Sequence, residues 1–388
     1  MIAIIVLLIT FLLVYIALCV ASTTDTFLGK IKVFLIFIIT SLYNKLPKPI
    51  QTISYSIYDY IVNKPNPIIQ ILYIILVAGL FIFYYNYGII VFFPNKKVPY
   101  YSIYIIYFLV LISLYSFYLS CVIDPGIINK KNYKIMKLKY NIPTLYGEEK
   151  MECKKCGISK IPRSKHCNIC NMCIEKFDHH CVWVNQCIGA KNYRFFLLFL
   201  FVHWILVTYS GTLGLYLIYN LIIEKKLFKV HFYNPMTNEE INSSYKVVFQ
   251  YLIYNYYAFI ATNIMLIVIS ITLFVFMCYH LNLIKLNFTN SERNKQVKTI
   301  RYLNLIKETL HNMAKKKNYK IEIKELLPEE IKKYKHITFY EPEFDIDTLN
   351  EQDLNSFYNF TLQSIIIFKK NPYYKGFKKE FIDIIYGK

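Results

Sequence analysis

Seven cysteines and three histidines fall within one stretch of 35 residues, CKKCGISKIPRSKHCNICNMCIEKFDHHCVWVNQC, from Cys153 to Cys187. The ligand-type residues are Cys153, Cys156, His166, Cys167, Cys170, Cys173, His179, His180, Cys181 and Cys187. A Cys-x-x-Cys pair brings two thiolates to one metal at about 2.3 Å without strain, and tetrahedral zinc takes four such ligands. Two zinc ions use eight of the ten groups. A segment this short and polar buries little core, so metal must supply its folding energy. One thiol and one imidazole are left over. A cysteine and a histidine outside the metal sites make a nucleophile and its general base. The run Asp178-His179-His180-Cys181 is where that pair must be sought. Spacing alone does not decide which histidine or which cysteine is spared.

The elements that must hold this segment are membrane spans. Of the 388 residues, 55% are hydrophobic and 18% are charged, and the mean hydropathy is +0.33. An aromatic content of 18% excludes a disordered chain. Ten cysteines, seven of them in one cluster, exclude a secreted disulfide scaffold. Runs of roughly 20 apolar residues or more, enough to cross about 30 Å of hydrocarbon, lie near 69–93, 101–123, 195–223 and 250–281. Residues 1–20 are a fifth, N-terminal span, with a cleaved signal peptide as the alternative. Residues 31–43 are short and lysine-flanked, which suits the membrane interface.

Charge fixes the orientation. Of the 45 lysines and arginines, 39 fall on the side holding 21–68, 124–194 and 282–388, and six on the other. The positive-inside rule puts the larger group in the cytoplasm, which accounts for most of the +20 net charge without nucleic acid. The cysteine cluster then sits in a reducing compartment, where metal ligation or thiol chemistry is favoured over disulfides. Asn242-Ser243-Ser244 on the opposite side is a glycosylation sequon that checks this topology. The expected architecture is an all-α polytopic membrane protein. An N-terminal extension (1–68) precedes core spans 1 and 2 (69–123). A cysteine-rich cytoplasmic domain with two zinc sites (124–194), core spans 3 and 4 (195–281) and a cytoplasmic tail (282–388) follow. Within the spans, His203 is a candidate functional group or a satisfied bundle histidine, and Thr262, Asn263 and Ser270 are expected to bond between helices. Val297, Ile300, Leu303, Ile306 and Leu310 recur at helical spacing, as in an amphipathic helix on a membrane surface or a solvated charged helix. Residues 328–354 mix proline with acids and read as loop.

The cysteine-rich segment resembles the corresponding domain of the DHHC protein S-acyltransferases. The matching residues are Cys153-x2-Cys156, Lys160-Ile161-Pro162-Arg163-Ser164-Lys165-His166-Cys167, Cys170, Cys173, Asp178 to Cys181, Trp183-Val184-Asn185 and Cys187-Ile188-Gly189. Asp124-Pro125-Gly126 resembles the family's DPG motif, Thr289-Asn290-Ser291-Glu292 its TTxE motif, and Asn371-Pro372-Tyr373 with Gly376 and Phe381 its C-terminal motif. Departures are Ile161, Lys165, Val182, Asn290 and Glu380, none of them a ligand or a catalytic group. The resemblance implies one zinc on Cys153, Cys156, His166 and Cys173, and another on Cys167, Cys170, His180 and Cys187. It also implies Cys181 as nucleophile, His179 as base and Asp178 as its orienter, in a palmitoyltransferase that takes the acyl group from acyl-CoA.

Lys160, Arg163 and Lys165 then suit the CoA phosphates. The implied partners are membrane-associated proteins with cytoplasmic cysteines, acyl-CoA and the bilayer, with Golgi or another endomembrane as the family's commonest address and no nucleic acid. Two other readings fit parts of the pattern. A zinc-binding membrane adaptor would keep its metal and form no acyl-enzyme. A dithiol redox protein would form a reversible disulfide and bind no zinc.

Overall fold

The computed structural model describes residues 43–139, 152–233, 240–322, 350–369 and 376–386, with isolated positions between 34 and 41. The expected N-terminal span over 1–20 and most of the 328–354 stretch lie outside the described residues. In chain order the helices are α1 (Lys48–Asn63), α2 (Ile68–Tyr84, carried by a π turn at Tyr85–Ile89 to Phe92), α3 (Tyr101–Val122) and α4 (Tyr133–Lys139). They continue as α5 (Tyr193–Glu224), α6 (Tyr245–Leu286), α7 (Asn290–Lys316), α8 (Glu351–Lys369) and α9 (Phe377–Tyr386).

Among the described residues, α2, α3, α5 and α6 are long and apolar enough to span a bilayer. A helix is the form such runs must take, because hydrocarbon offers no partner for an open backbone. The first three match the sequence expectation to within two residues, whereas α6 begins earlier, at Tyr245. Ser244 causes this: its hydroxyl accepts the Val247 N–H at 3.3 Å and caps the helix. The 42 residues of α6 bend at Tyr256, and at about 1.5 Å per residue their length exceeds the bilayer core, so its ends project beyond it.

Helix α5 is the centre of the bundle, packed against both α3 and α6, while α2 packs on α6. Tyr84, Phe92, Ile106, Leu217, Phe259 and Leu266 form its core. Close approach of α5 and α6 depends on Gly214, where any Cβ would collide with the Asn263 side chain. Ser270 bonds between helices as expected, to Thr208 at 2.6 Å. Thr262 and Asn263 instead bond back to Ala258 and Phe259 of their own helix, each at 2.8 Å. The carbonyl one turn back is always within reach, so it captures a short polar side chain that meets no partner across the interface. His203 is a satisfied bundle histidine: Nδ1 meets the Phe199 carbonyl at 2.8 Å and Nε2 the Tyr73 hydroxyl.

Between α3 and α5 lies the cysteine-rich domain, whose described residues form seven very short strands. These are β1 (Ile127–Ile128), β2 (Glu152–Cys153), β3 (Ile158–Ser159), β4 (Lys165–Cys167), β5 (Met172–Ile174), β6 (His179–Cys181) and β7 (Gln186–Ile188). They pair antiparallel as β1-β5-β4, β2-β3 and β6-β7. On the far side of the bundle, β8 (Phe232–Tyr233) and β9 (Glu240–Ile241) make a small hairpin. The tail helices α7 and α8 pack together through Leu303, Leu310, Ala314, Leu354 and Ile365. The apolar stripe of α7 therefore faces α8, which corrects the membrane-surface expectation: α8 supplies the apolar partner that the isolated helix lacks.

Candidate active site and metal centres

The hairpins do for the ligands what the sequence spacing promised. Cross-strand pairing sets His166 opposite Cys173 in β4-β5, and His180 opposite Cys187 in β6-β7. Turns following β2 and β4 bring in Cys156 and Cys170. Two groups of donor atoms result, Cys153, Cys156, His166 and Cys173 in one and Cys167, Cys170, His180 and Cys187 in the other, all within 4.8 Å of one another in each group. His166 Nδ1 is 3.5, 3.3 and 3.8 Å from the sulfurs of Cys153, Cys156 and Cys173. His180 Nδ1 is 3.8, 3.3 and 3.7 Å from those of Cys167, Cys170 and Cys187. A zinc tetrahedron with bonds of about 2.0–2.3 Å has edges of about 3.5–3.8 Å, so both groups fit that ion. All eight positions are taken by protein, which leaves no open position for water. Such an ion holds the fold together.

Cys181 and His179 belong to neither group. Their strand β6 is held at the mouth of the bundle by Gln186, the cross-strand partner of Cys181. Its side-chain N–H donates to the carbonyls of Ser120 and Ile123 at 2.8 and 2.9 Å, hooking β7 onto the end of α3. The DPG turn fastens the other edge: Glu175 donates its N–H to Gly126 O, and Ala190 donates to Glu175 O, each at 2.9 Å. Gly189 makes this fit possible, since a Cβ there would lie 2.5 Å from both Ile174 and the Pro125 carbonyl. Cys181 is buried in an apolar nest with Tyr73, Phe117, Val184, Ile188, Phe196 and Phe199. Trp183 stands at the rim, 39% exposed, its ring edge-on to Tyr73.

Asp178 is 2% exposed, and both of its carboxylate oxygens are used. Oδ2 lies 2.8 Å from His179 Nδ1, and Oδ1 accepts the Asn290 N–H at 2.7 Å. Burial alone would raise the Asp178 pKa, but the His179 hydrogen bond and charge, with the Asn290 N–H, hold it below the usual carboxylate value. Burial works against charge on His179 too, yet its bonds to Asp178 and Cys181 push it up to about 10. Burial raises the Cys181 thiol, and the neighbouring His179 more than offsets that, leaving it below an ordinary thiol. The pair is thus poised as thiolate and imidazolium, the form needed for nucleophilic attack.

The three expected basic residues line one cavity of about 720 Å³ beside His179, together with Lys295 and Lys298 of α7. Their roles differ. The Arg163 side chain is 6% exposed and forks onto Glu292, with Nε and Nη2 each at 2.8 Å from a carboxylate oxygen. It also bonds the side chain and carbonyl of Asn287, both at 3.0 Å. Its N–H fork is thus engaged with protein, unlike the phosphate partner expected from sequence. Lys165 keeps to the rim, 3.3 Å from the Ser291 hydroxyl and over the Phe177 ring, and Lys160 lines the same cavity.

Glu292 is the residue whose reach sequence reasoning missed. Thr289 and Glu292 form a reciprocal capping box at the start of α7, a signature readable from Thr-x-x-Glu alone. That the same carboxylate clasps Arg163 and aims the Asn290 N–H at Asp178 needed the fold. The departure at Asn290 is harmless for this reason, because its backbone makes the contact, while its side chain accepts from Tyr279 at 2.7 Å. Glu380, the other departure in the tail, is buried in α9 and lies 3.8 Å from Lys176. His280 of α6, its Nδ1 hydrogen-bonded to the Tyr193 hydroxyl at 2.9 Å, packs its ring behind His179 and Phe196.

A family model described as DHHC palmitoyltransferase matches residues 146–297. Palmitoyltransferase ZDHHC4 of Bos taurus is 28% identical over 247 residues, 64% of this chain and 71% of the relative. Palmitoyltransferase swf1 of Schizosaccharomyces pombe is 33% identical over 147 residues, 37% of this chain and 40% of the relative. Palmitoyltransferase ERF2 of Kluyveromyces lactis is 39% identical over 113 residues, 26% of this chain and 32% of the relative. Apart from the bovine protein, the chain matches about half or less of the length of these relatives.

Proposed function

We propose that the chain, whose residues 146–297 match the DHHC palmitoyltransferase model, is a multi-pass protein S-acyltransferase working through an acyl-enzyme on Cys181. The observation that carries the reading is the Asp178–His179–Cys181 line outside both metal groups, at the mouth of an apolar bundle. In the first step the Cys181 sulfur attacks the thioester carbonyl of a long-chain acyl-CoA. His179 takes the thiol proton and returns it to the leaving CoA sulfur, while Asp178 holds the imidazole in the needed tautomer. In the second step the sulfur of a substrate cysteine attacks the acyl-enzyme, His179 accepting that proton, and Cys181 is restored. Each step exchanges one thioester for another, so the balance is near neutral and access decides the outcome.

Lys160 and Lys165 face the CoA phosphates across the cavity beside His179. Arg163 supports them as a positioning residue through its clasp on Glu292. The two zinc ions, on Cys153, Cys156, His166 and Cys173 and on Cys167, Cys170, His180 and Cys187, hold the domain rigid and supply its folding energy. The acyl chain enters the nest of Tyr73, Phe117 and Phe199 beneath Cys181 while CoA stays in water. The acceptors are membrane-associated proteins with cysteines on the cytoplasmic face, and an endomembrane such as the Golgi is the compartment. The charge asymmetry of the loops supports that orientation.

The test uses purified full-length protein and labelled palmitoyl-CoA. The wild type acquires hydroxylamine-sensitive label, Cys181→Ser acquires none, and both carry about two zinc ions. Zinc without label on either protein would favour the adaptor reading instead.

A further inference from the structure

Helix α1 precedes the first described span and takes no part in the site. Ile50, Ile53, Ile57, Tyr60 and Ile61 recur along it at intervals of three and four, which lines them on one face. Thr52, Ser56, Asp59 and Asn63 form a polar stripe roughly 90–150° round the helix from the centre of that face. The apolar face is open: Ile50 is 49% exposed, Ile53 59%, Ile57 54% and Tyr60 49%. Exposed Lys45 precedes the helix, exposed Lys48 opens it and exposed Lys64 follows it.

What covers that face follows from where α1 is tied. Only Lys64-Pro65-Asn66-Pro67 separates it from α2, so its end stays within about 18 Å of the start of the span. That end of α2 is the active-site end, because Tyr73 packs against Phe117, Phe199 and the rim residue Trp183. The joint is also held in a defined geometry. The Asn66 side chain, 7% exposed, donates to the carbonyls of Tyr60, Ile61 and Lys64 at 2.7, 3.1 and 2.8 Å. Its oxygen accepts the Ile68 N–H at 3.1 Å. One amide thus closes the end of α1 and caps the start of α2, fixing how α1 is rolled relative to the span.

We propose that α1 is an in-plane membrane helix, its isoleucine face seated in the leaflet on the active-site side and its roll set by the Asn66 latch. The occupant is lipid: the helix is bound by a short, latched joint to a span whose boundary is that same leaflet. Its flanking lysines match anionic headgroups, and its polar face turns to water. The inference requires only that α2 spans the bilayer and is independent of acyl transfer.

The experiment uses the full-length chain in nanodiscs of phosphatidylcholine with a minority of phosphatidylserine, with the acyl chains brominated near the carbonyl. Tryptophan is introduced by Ile53→Trp or Ile57→Trp on the apolar face, and by Thr52→Trp or Ser56→Trp on the polar face. The signal of the two native tryptophans is subtracted using the wild type. All four sites are exposed, so the fold tolerates the change. The expected result is several-fold stronger quenching for Ile53→Trp and Ile57→Trp than for the polar-face variants. Equal quenching of both faces, or none of either, would overturn the proposal, the latter pointing to a second copy or another protein on that stripe. Asn66→Ala is expected to even out the contrast between faces, and an unchanged contrast would remove Asn66 from the device.

Discussion

Asp178 illustrates how little slack the proposed catalytic residues have. Its two oxygens accept from His179 and from the Asn290 N–H, so Asp178→Asn must turn an amide donor toward one of those donors. The autoacylation rate is expected to fall about 10²-fold or more with zinc content unchanged, read as initial labelling by palmitoyl-CoA. His179 and Cys181 favour the ion pair, which gives a pH prediction with a definite sign. Alkylation of Cys181 by iodoacetamide should persist below the pH range of an ordinary thiol, and His179→Ala should move that limb upward. Arg163 belongs to the same scale. Removing it strands Glu292 in a nearly buried site, so Arg163→Ala should cost about 3–5 kcal/mol in thermal or denaturant unfolding. Arg163→Lys should recover only part, because an ammonium cannot reproduce the fork.

The cysteine-rich domain has strands of two or three residues, too short to persist by pairing alone, so its order rests on metal. A strong chelator should abolish autoacylation and expose the thiols to labelling while helical circular dichroism stays largely intact, because the spans keep their own hydrogen bonds. A Cys153→Ser variant should lose about one zinc ion of two by metal analysis. Among the spans, α5 and α6 pack extensively, and Gly214 marks a point of close approach. Gly214→Ala forces a methyl into Asn263, and the melting temperature in detergent should fall by the equivalent of about 1–3 kcal/mol.

Across the whole molecule, the charge distribution places the hairpin of β8 and β9 on the side opposite the active site. Expression in a glycosylating host should therefore give an endoglycosidase-sensitive mobility shift that Asn242→Gln abolishes. A protein without the shift, whose hairpin is protease-accessible from the cytoplasm, would reverse the orientation. The assembly also explains how a tail helix bears on the chemistry. Helix α7 starts at Asp178, is clasped to Arg163 at its first turn, and is braced along its length by α8. A disturbance of the tail therefore reaches Asp178 through the Asn290 N–H.

The sequence by itself determined the four spans, the ligand inventory and the surplus Cys/His pair, because each depends on local properties. Apolar run length sets a span, and residue type with two- or three-residue spacing sets a metal knuckle. Only the tertiary structure decided which residues meet across long separations. Arg163 faces Glu292 rather than solvent, Gln186 hooks the end of α3, and the stripe of α7 meets α8 instead of lipid. An arginine fork or an apolar stripe carries no label for its partner, since a carboxylate, a phosphate, a helix or a membrane satisfies it equally well. The fold chooses by bringing one of them within reach.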